Sequence, residues 1–178
     1  MSVASWRQVR LWSSDEALFS HAARHTERNF VAYDVLGKSA FARGRPEEAI
    51  RSIREAIRIR PRYALARYDL GVIYGSLGRP DDAIAEYRES LRIKPGQPDA
   101  WTNLGAMLTV RGRIDDAVRC YYEALRLNPD DPFAHNNLGM ILAAAGRRSD
   151  AVLHFREALR IDPAYAVAAE NLRRAAGN

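Results

Sequence analysis

The phrase GRPEEAIRSIREAIRIRP at 44–61 returns as GRPDDAIAEYRESLRIKP at 78–95, GRIDDAVRCYYEALRLNP at 112–129 and GRRSDAVLHFREALRIDP at 146–163, each 34 residues after the last. No other feature constrains the fold as strongly, because four in-phase copies require one local structure to be used four times. The preceding segments keep the same step, at Leu36-Gly37, Leu70-Gly71, Leu104-Gly105 and Leu138-Gly139. So do the alanines Ala49, Ala83, Ala117 and Ala151 and the prolines Pro61, Pro95, Pro129 and Pro163.

Each copy reads as two helices. In the second, a first helix is expected near residues 66–77, with Leu70 and Tyr74 on one face and Gly71 letting a neighbouring backbone approach. Gly78-Arg79 is the turn, its glycine supplying a left-handed conformation. Pro80 suits the first turn of the next helix, and Asp81 and Asp82 complement its positive start. Arg92 and Lys94 complement its negative end, and Pro95 stops it. Along this second helix Ala83, Tyr87, Ser90 and Leu91 make the inward stripe.

The period, together with Trp101-x-x-Leu104-Gly105 and then Ala117, Tyr121, Ala124 and Pro129, resembles the tetratricopeptide repeat. The resemblance implies an all-α, right-handed superhelical solenoid of helix-turn-helix units, whose first helices line a concave groove. Four full repeats are expected at 30–63, 64–97, 98–131 and 132–165. Residues 1–29 form a half repeat or capping segment, and 166–178 hold a C-terminal capping helix with Glu170, Arg173 and Arg174 outward. One helix pair cannot bury both its faces, so stacked neighbours supply the core.

Composition is that of a globular chain, 47% hydrophobic and 28% charged, with no apolar run of membrane-spanning length. The opening MSVASWRQVRLW places two arginines and two tryptophans where a signal peptide needs an apolar stretch, so no secretory signal is expected. The single cysteine, Cys120, precludes an intramolecular disulfide and reads as a small, partly buried hydrophobe.

The net charge of +5 raises the question of nucleic acid, and its placement argues against that partner. Residues 30–63 carry eight basic and four acidic side chains, whereas 98–131 carry four basic and six acidic. The excess lies mainly at Arg51, Arg54, Arg58 and Arg60, without the interleaved aromatics of a single-strand binder. A solvated outer face is the simpler reading.

No phosphate loop, GxSxG, CxxC or HExxH occurs, so no enzyme, cofactor or metal is expected. His21 and His25 lie four apart and would share a helix face, but no third ligand accompanies them. His135 takes the repeat position of Trp101 and reads as a packing residue, while His154 is expected to point outward.

A ligand is therefore sought in the groove. The repeat frame directs Val31, Asp34, Val35, Lys38 and Ala42 there, then Leu65, Tyr68, Asp69 and Val72, then Thr102 and Asn103, then Phe133, Asn136, Asn137 and Met140. One position reads Val35, Asp69, Asn103, Asn137. An asparagine amide both donates to a peptide carbonyl and accepts from a peptide N–H, so a ladder of them holds an extended chain without reading its side chains. Such ladders are a feature of some tetratricopeptide proteins, including glycosyltransferases that carry these repeats. A basic clamp for a C-terminal carboxylate, another device of the family, is disfavoured. Tyr68, Thr102 and Asn136 stand where basic residues would be needed, and only Lys38 is basic. Leu65, Val72, Phe133 and Met140 add apolar area, which suits a mixed extended segment or a helix.

Residues 8–29 align as a second helix with its stem, Phe19 falling where Tyr87 and Phe155 fall and Ala22 where Ala56 and Ala124 fall. This block is similar to the junction at which multi-spanning, glycosyltransferase-like bacterial membrane proteins pass into a tetratricopeptide tail. That resemblance implies a substrate-presenting tail on the periplasmic face, with the basic first repeat near lipid. The leading expectation is a non-catalytic, cytoplasmic adaptor that binds a protein or peptide in its groove. Homo-oligomers through the tryptophan-bearing end at 6–12 are a further expectation.

Overall fold

A computed structural model describes residues 29–177. The expectations placed on 1–28 (Trp6, Trp12, Phe19, Ala22, His21 and His25 among them) lie outside the described residues. Within the described residues the chain is all-α and carries nine helices. These are α1 (Phe30–Ala42), α2 (Pro46–Ile59), α3 (Ala64–Ser76), α4 (Pro80–Ile93), α5 (Pro98–Val110), α6 (Ile114–Leu127), α7 (Pro132–Ala144), α8 (Arg148–Ile161) and α9 (Ala166–Ala176). They form two compact units, the first ending at Arg79 and the second running from Pro80. In the first, α1 packs on α2 and α2 on α3; in the second, each helix from α4 to α9 packs on the next.

The local rules act as their chemistry requires. Proline opens α2, α5 and α7 at a position where its missing amide is no loss. Acidic pairs follow at Glu47-Glu48 and Asp115-Asp116, and a basic residue sits in the last turn of α2, α4, α6 and α8. Between the paired helices α1 and α2, α5 and α6, and α7 and α8 the turn is made by Gly44, Gly112 and Gly146, and α3 is followed by Gly78, each with φ between 66° and 78°, the left-handed region that other residues enter at a cost.

The core is built from the expected stripes. Leu70, Tyr74, Ala83, Tyr87, Ser90 and Leu91 are all buried, and so is Cys120. The Leu-Gly step shows its purpose in the second unit. A Cβ placed on Gly105 would lie 2.7 Å from Tyr121 Cε1, and one on Gly139 would lie 2.7 Å from Phe155 Cε1. At these two glycines what approaches is an aromatic ring of the second helix, whereas a Cβ on Gly37 in the first unit would meet the Ile53 side chain and, at 3.2 Å, the backbone oxygen of Ala49. The ring plugs the gap that the missing side chain leaves, and this fixes how closely the two helices pack.

Helix α9 ends the second unit against α8, with Ala168 buried, Arg173 and Arg174 exposed, and Gly177 closing the helix at φ 81°.

Candidate functional site

In the second unit the first helices α5, α7 and α9 lie side by side, so the residues they share at one repeat register form a continuous face. On it Phe133 and Met140 are exposed, at 55% and 48%, and Val167 carries the register onward at 53%. Phe133 stands edge-on to Tyr165, with ring centroids 5.3 Å apart. Asn103 and Asn137, the proposed rungs, are both half-buried. In the first unit Leu65 and Lys38 are exposed, while Tyr68, Asp69 and Val72 are half-buried.

Three of the expected groove residues are engaged elsewhere. Thr102 is buried, and its hydroxyl donates to Asp131 Oδ2 at 2.6 Å. Asn136 is also buried; its Oδ1 accepts from Asn171 Nδ2 at 2.9 Å. In the first unit the same register holds Asp34, whose Oδ2 accepts from the Tyr63 hydroxyl at 3.2 Å. Asp34, Thr102 and Asn136 are therefore latches, each joining a first helix to the start of the next repeat. Asp131 has a second task, since its Oδ1 caps α7 by accepting from the amides of Phe133 and Ala134 at 2.9 and 3.0 Å. Sequence reasoning took these positions as ligand-facing and passed over Asp131 and Asn171. The available signal was a polar residue in every repeat at one register, a position that burial obliges to find a partner.

The same unit carries a recess of about 550 Å³ on the face of the first helices. Ala106, Thr109, Ile114, Tyr121, Met140 and Ile141 line it, with Asn137 on its wall. Thr109 donates its hydroxyl to Gly105 O at 2.9 Å, so at the 3.4 Å contact between the two hydroxyls Tyr121 is the donor. Burial pushes the Tyr121 phenol above its usual range, while Thr109 and Asn137 beside it act the other way. The recess is thus an apolar cup with a few polar groups at one side, the form that small binding sites take.

In the first unit the chemistry is electrostatic. Lys38 Nζ lies 2.8 Å from Asp34 Oδ2 and 3.0 Å from Asp69 Oδ2. Partial burial works against the Lys38 charge, but the two carboxylates outweigh it and hold the amine above its ordinary value. Burial pushes the Asp69 carboxyl up, with Lys38 offsetting only part of that rise. The ammonium that a carboxylate clamp would require is therefore already held by two acids of its own chain.

Three of the four arginines that carry the charge excess of the first repeat are similarly occupied. Arg54 Nη2 donates to the Tyr74 hydroxyl at 2.7 Å, Arg58 pairs with Glu55 at 2.6 Å, and the Arg60 guanidinium lies 4.7 Å from the Phe30 ring centroid. Among the described residues no three His, Cys, Asp or Glu side chains are grouped to hold a metal ion. No described helix is long and apolar enough to cross a membrane. His154, expected to point outward, is instead half-buried against His135.

Helix pairs in register, with first helices side by side and a polar latch from one repeat to the next, define a helical repeat scaffold of the kind that presents a surface to other molecules. Models of the tetratricopeptide repeat match residues 35–98 and 97–164. The chain belongs to the tetratricopeptide repeat family, whose domains are generally protein–protein interaction modules. Solved structures agree on the fold. MamA is 22% identical with a TM-score of 0.77, over 93% of this chain and 98% of MamA. YrrB, described as a TPR protein with an unusual peptide-binding site, is 23% identical with a TM-score of 0.77, over 89% of this chain and 82% of its own. PilF of Pseudomonas aeruginosa is 26% identical with a TM-score of 0.74, over 82% of this chain and 67% of PilF. No curated protein sequence matches the chain.

Proposed function

We propose that the chain is a binding scaffold that holds an extended segment of another protein along the face of its first helices. The observation that carries this reading is the apolar recess beside Asn137, with exposed Met140 on its lining and exposed Phe133 one helical turn before Asn137. A peptide side chain fills the recess, and the Asn137 and Asn103 amides meet its backbone. Lys38, Leu65, Tyr68, Asp69 and Val72 offer a second, more polar stretch in the first unit. Thr102 and Asn136 contribute by holding the rungs in place. The description of YrrB as a peptide-binding repeat protein supports a peptide as the ligand class.

The test is a selection of random displayed peptides on the full chain, followed by affinity measurements on two variants. Asn103→Ala/Asn137→Ala removes both rungs, each worth on the order of 1 kcal/mol, and is expected to weaken selected peptides about tenfold or more. Ala144→Arg fills the mouth of the recess from an exposed position and is expected to weaken them at least as much. Peptides that bind both variants as tightly as the wild type would remove this face from consideration.

A further inference from the structure

One interaction in the second unit is foreign to its repeat grammar. His135 on α7 and His154 on α8 face each other with their Nδ1 atoms 3.0 Å apart, ring centroids 5.2 Å apart and planes inclined at 38°. One repeat earlier the same two positions hold Trp101 and Cys120. Trp101 Nε1 donates to Pro95 O at 2.9 Å, and His135 Nε2 lies 3.1 Å from Pro129 O, the carbonyl 34 residues further on. A carbonyl only accepts, so the proton of neutral His135 sits on Nε2 and its Nδ1 presents a lone pair. This histidine thus does the packing work of the tryptophan while keeping an unprotonated ring nitrogen, which accepts from His154 Nδ1. A second imidazole nitrogen is brought to it by α8.

We propose that His135 and His154 form a two-imidazole site for a late first-row divalent cation of the Cu(II) or Ni(II) type. Imidazole nitrogens bind such ions at about 2.0–2.1 Å, so two of them 3.0 Å apart subtend roughly 95° at the metal. That is the angle between neighbouring ligands of a square-planar or tetragonal centre, and it is narrower than a tetrahedral site wants. Both side chains are half-buried, so the ion reaches them from solvent and water completes its coordination. The hydrogen bond from His135 Nε2 to a backbone carbonyl is the outer-shell support that orients metal-bound histidines. On binding, the Nδ1 proton of His154 is replaced by the metal and the ring takes up a proton at Nε2, so no net charge leaves the pair. Asp150 and Glu157, one helical turn either side of His154, add a favourable field, each also paired to an arginine, Arg147 and Arg160.

The experiment is a Cu(II) titration of the full chain by calorimetry, with electron paramagnetic resonance of the loaded protein. Because His21 and His25 are the other two histidines, the reference is His21→Gln/His25→Gln. In that background one equivalent of Cu(II) is expected, with hyperfine structure from two nitrogens. Adding His135→Trp, which restores the residue of the preceding repeat, or His154→Gln is expected to weaken binding at least tenfold while leaving the far-ultraviolet circular dichroism unchanged. Loss of all binding in the reference itself, or an affinity in either added variant equal to that of the reference, would overturn the site.

Discussion

Removing the Asp131 carboxylate should loosen the start of α7 and the joint with the preceding repeat together, because one side chain serves both. Asp131→Ala deletes an N-cap that accepts from the amides of Phe133 and Ala134, a loss of about 0.5–2 kcal/mol. It also strands the buried Thr102 hydroxyl, whose 2.6 Å bond to a charged acceptor is worth about 1.5–3 kcal/mol. These losses together predict about 2–5 kcal/mol. Asp131→Asn isolates the second part. Its oxygen can stay at the Oδ1 position and keep the cap, while the amide nitrogen can donate to the Thr102 oxygen, a neutral bond in place of the charge-assisted one, so only about 1 kcal/mol is expected. Repeat arrays do not always unfold in one step, so urea midpoints should be paired with hydrogen exchange at the amides of Phe133 and Ala134. Exchange should quicken strongly in the alanine variant and little in the asparagine variant. Equal losses in the two variants, or a loss below about 0.5 kcal/mol in Asp131→Ala, would refute the account.

Further outcomes follow from the core. Helix propensity alone predicts that Gly105→Ala stabilises α5 by about 0.5–1 kcal/mol. The Tyr121 ring 2.7 Å from the new Cβ predicts instead a loss of about 1–3 kcal/mol, and the sign of the change in urea midpoint decides between them. Tyr121→Leu should recover part of that loss in the double variant. For Cys120, burial pushes the thiol up to about 11, so at pH 8 only about 0.1% would be thiolate, against roughly a quarter for an ordinary cysteine. A disulfide reagent should accordingly react with the folded chain about a hundredfold or more slowly than with the unfolded chain, and equal rates would contradict the burial of Cys120.

The sequence made the helices, their turns and the buried stripes readable because each rests on local chemistry repeated four times. A proline at a helix start, a glycine in a turn and an alanine on an inward face carry the same meaning wherever they recur. The groove was readable only in part. Phe133, Met140 and Asn137 lie on the face that their register predicts, but Thr102 and Asn136 turn to partners 29 and 35 residues away, Asp131 and Asn171. A helical register gives the direction of a side chain and not the atom it meets, so the latch and the ligand-facing rung, one residue apart, look alike before folding. The pairing of His135 with His154 was hidden for the same reason: nineteen residues apart on different helices, they share no helical spacing.

The ring-and-glycine socket and the latch also bear on how such a chain can change its length. The socket lies wholly within one repeat, between Gly105 and Tyr121 or between Gly139 and Phe155. Two of the latches span the same interval, 34 to 63 in one place and 102 to 131 in another. A duplicated block of 34 residues therefore arrives with its own socket and rebuilds the joint on either side of the insertion. Copy number is thus free to vary by recombination, while a one-residue insertion between Gly105 and Tyr121 would shift both features at once.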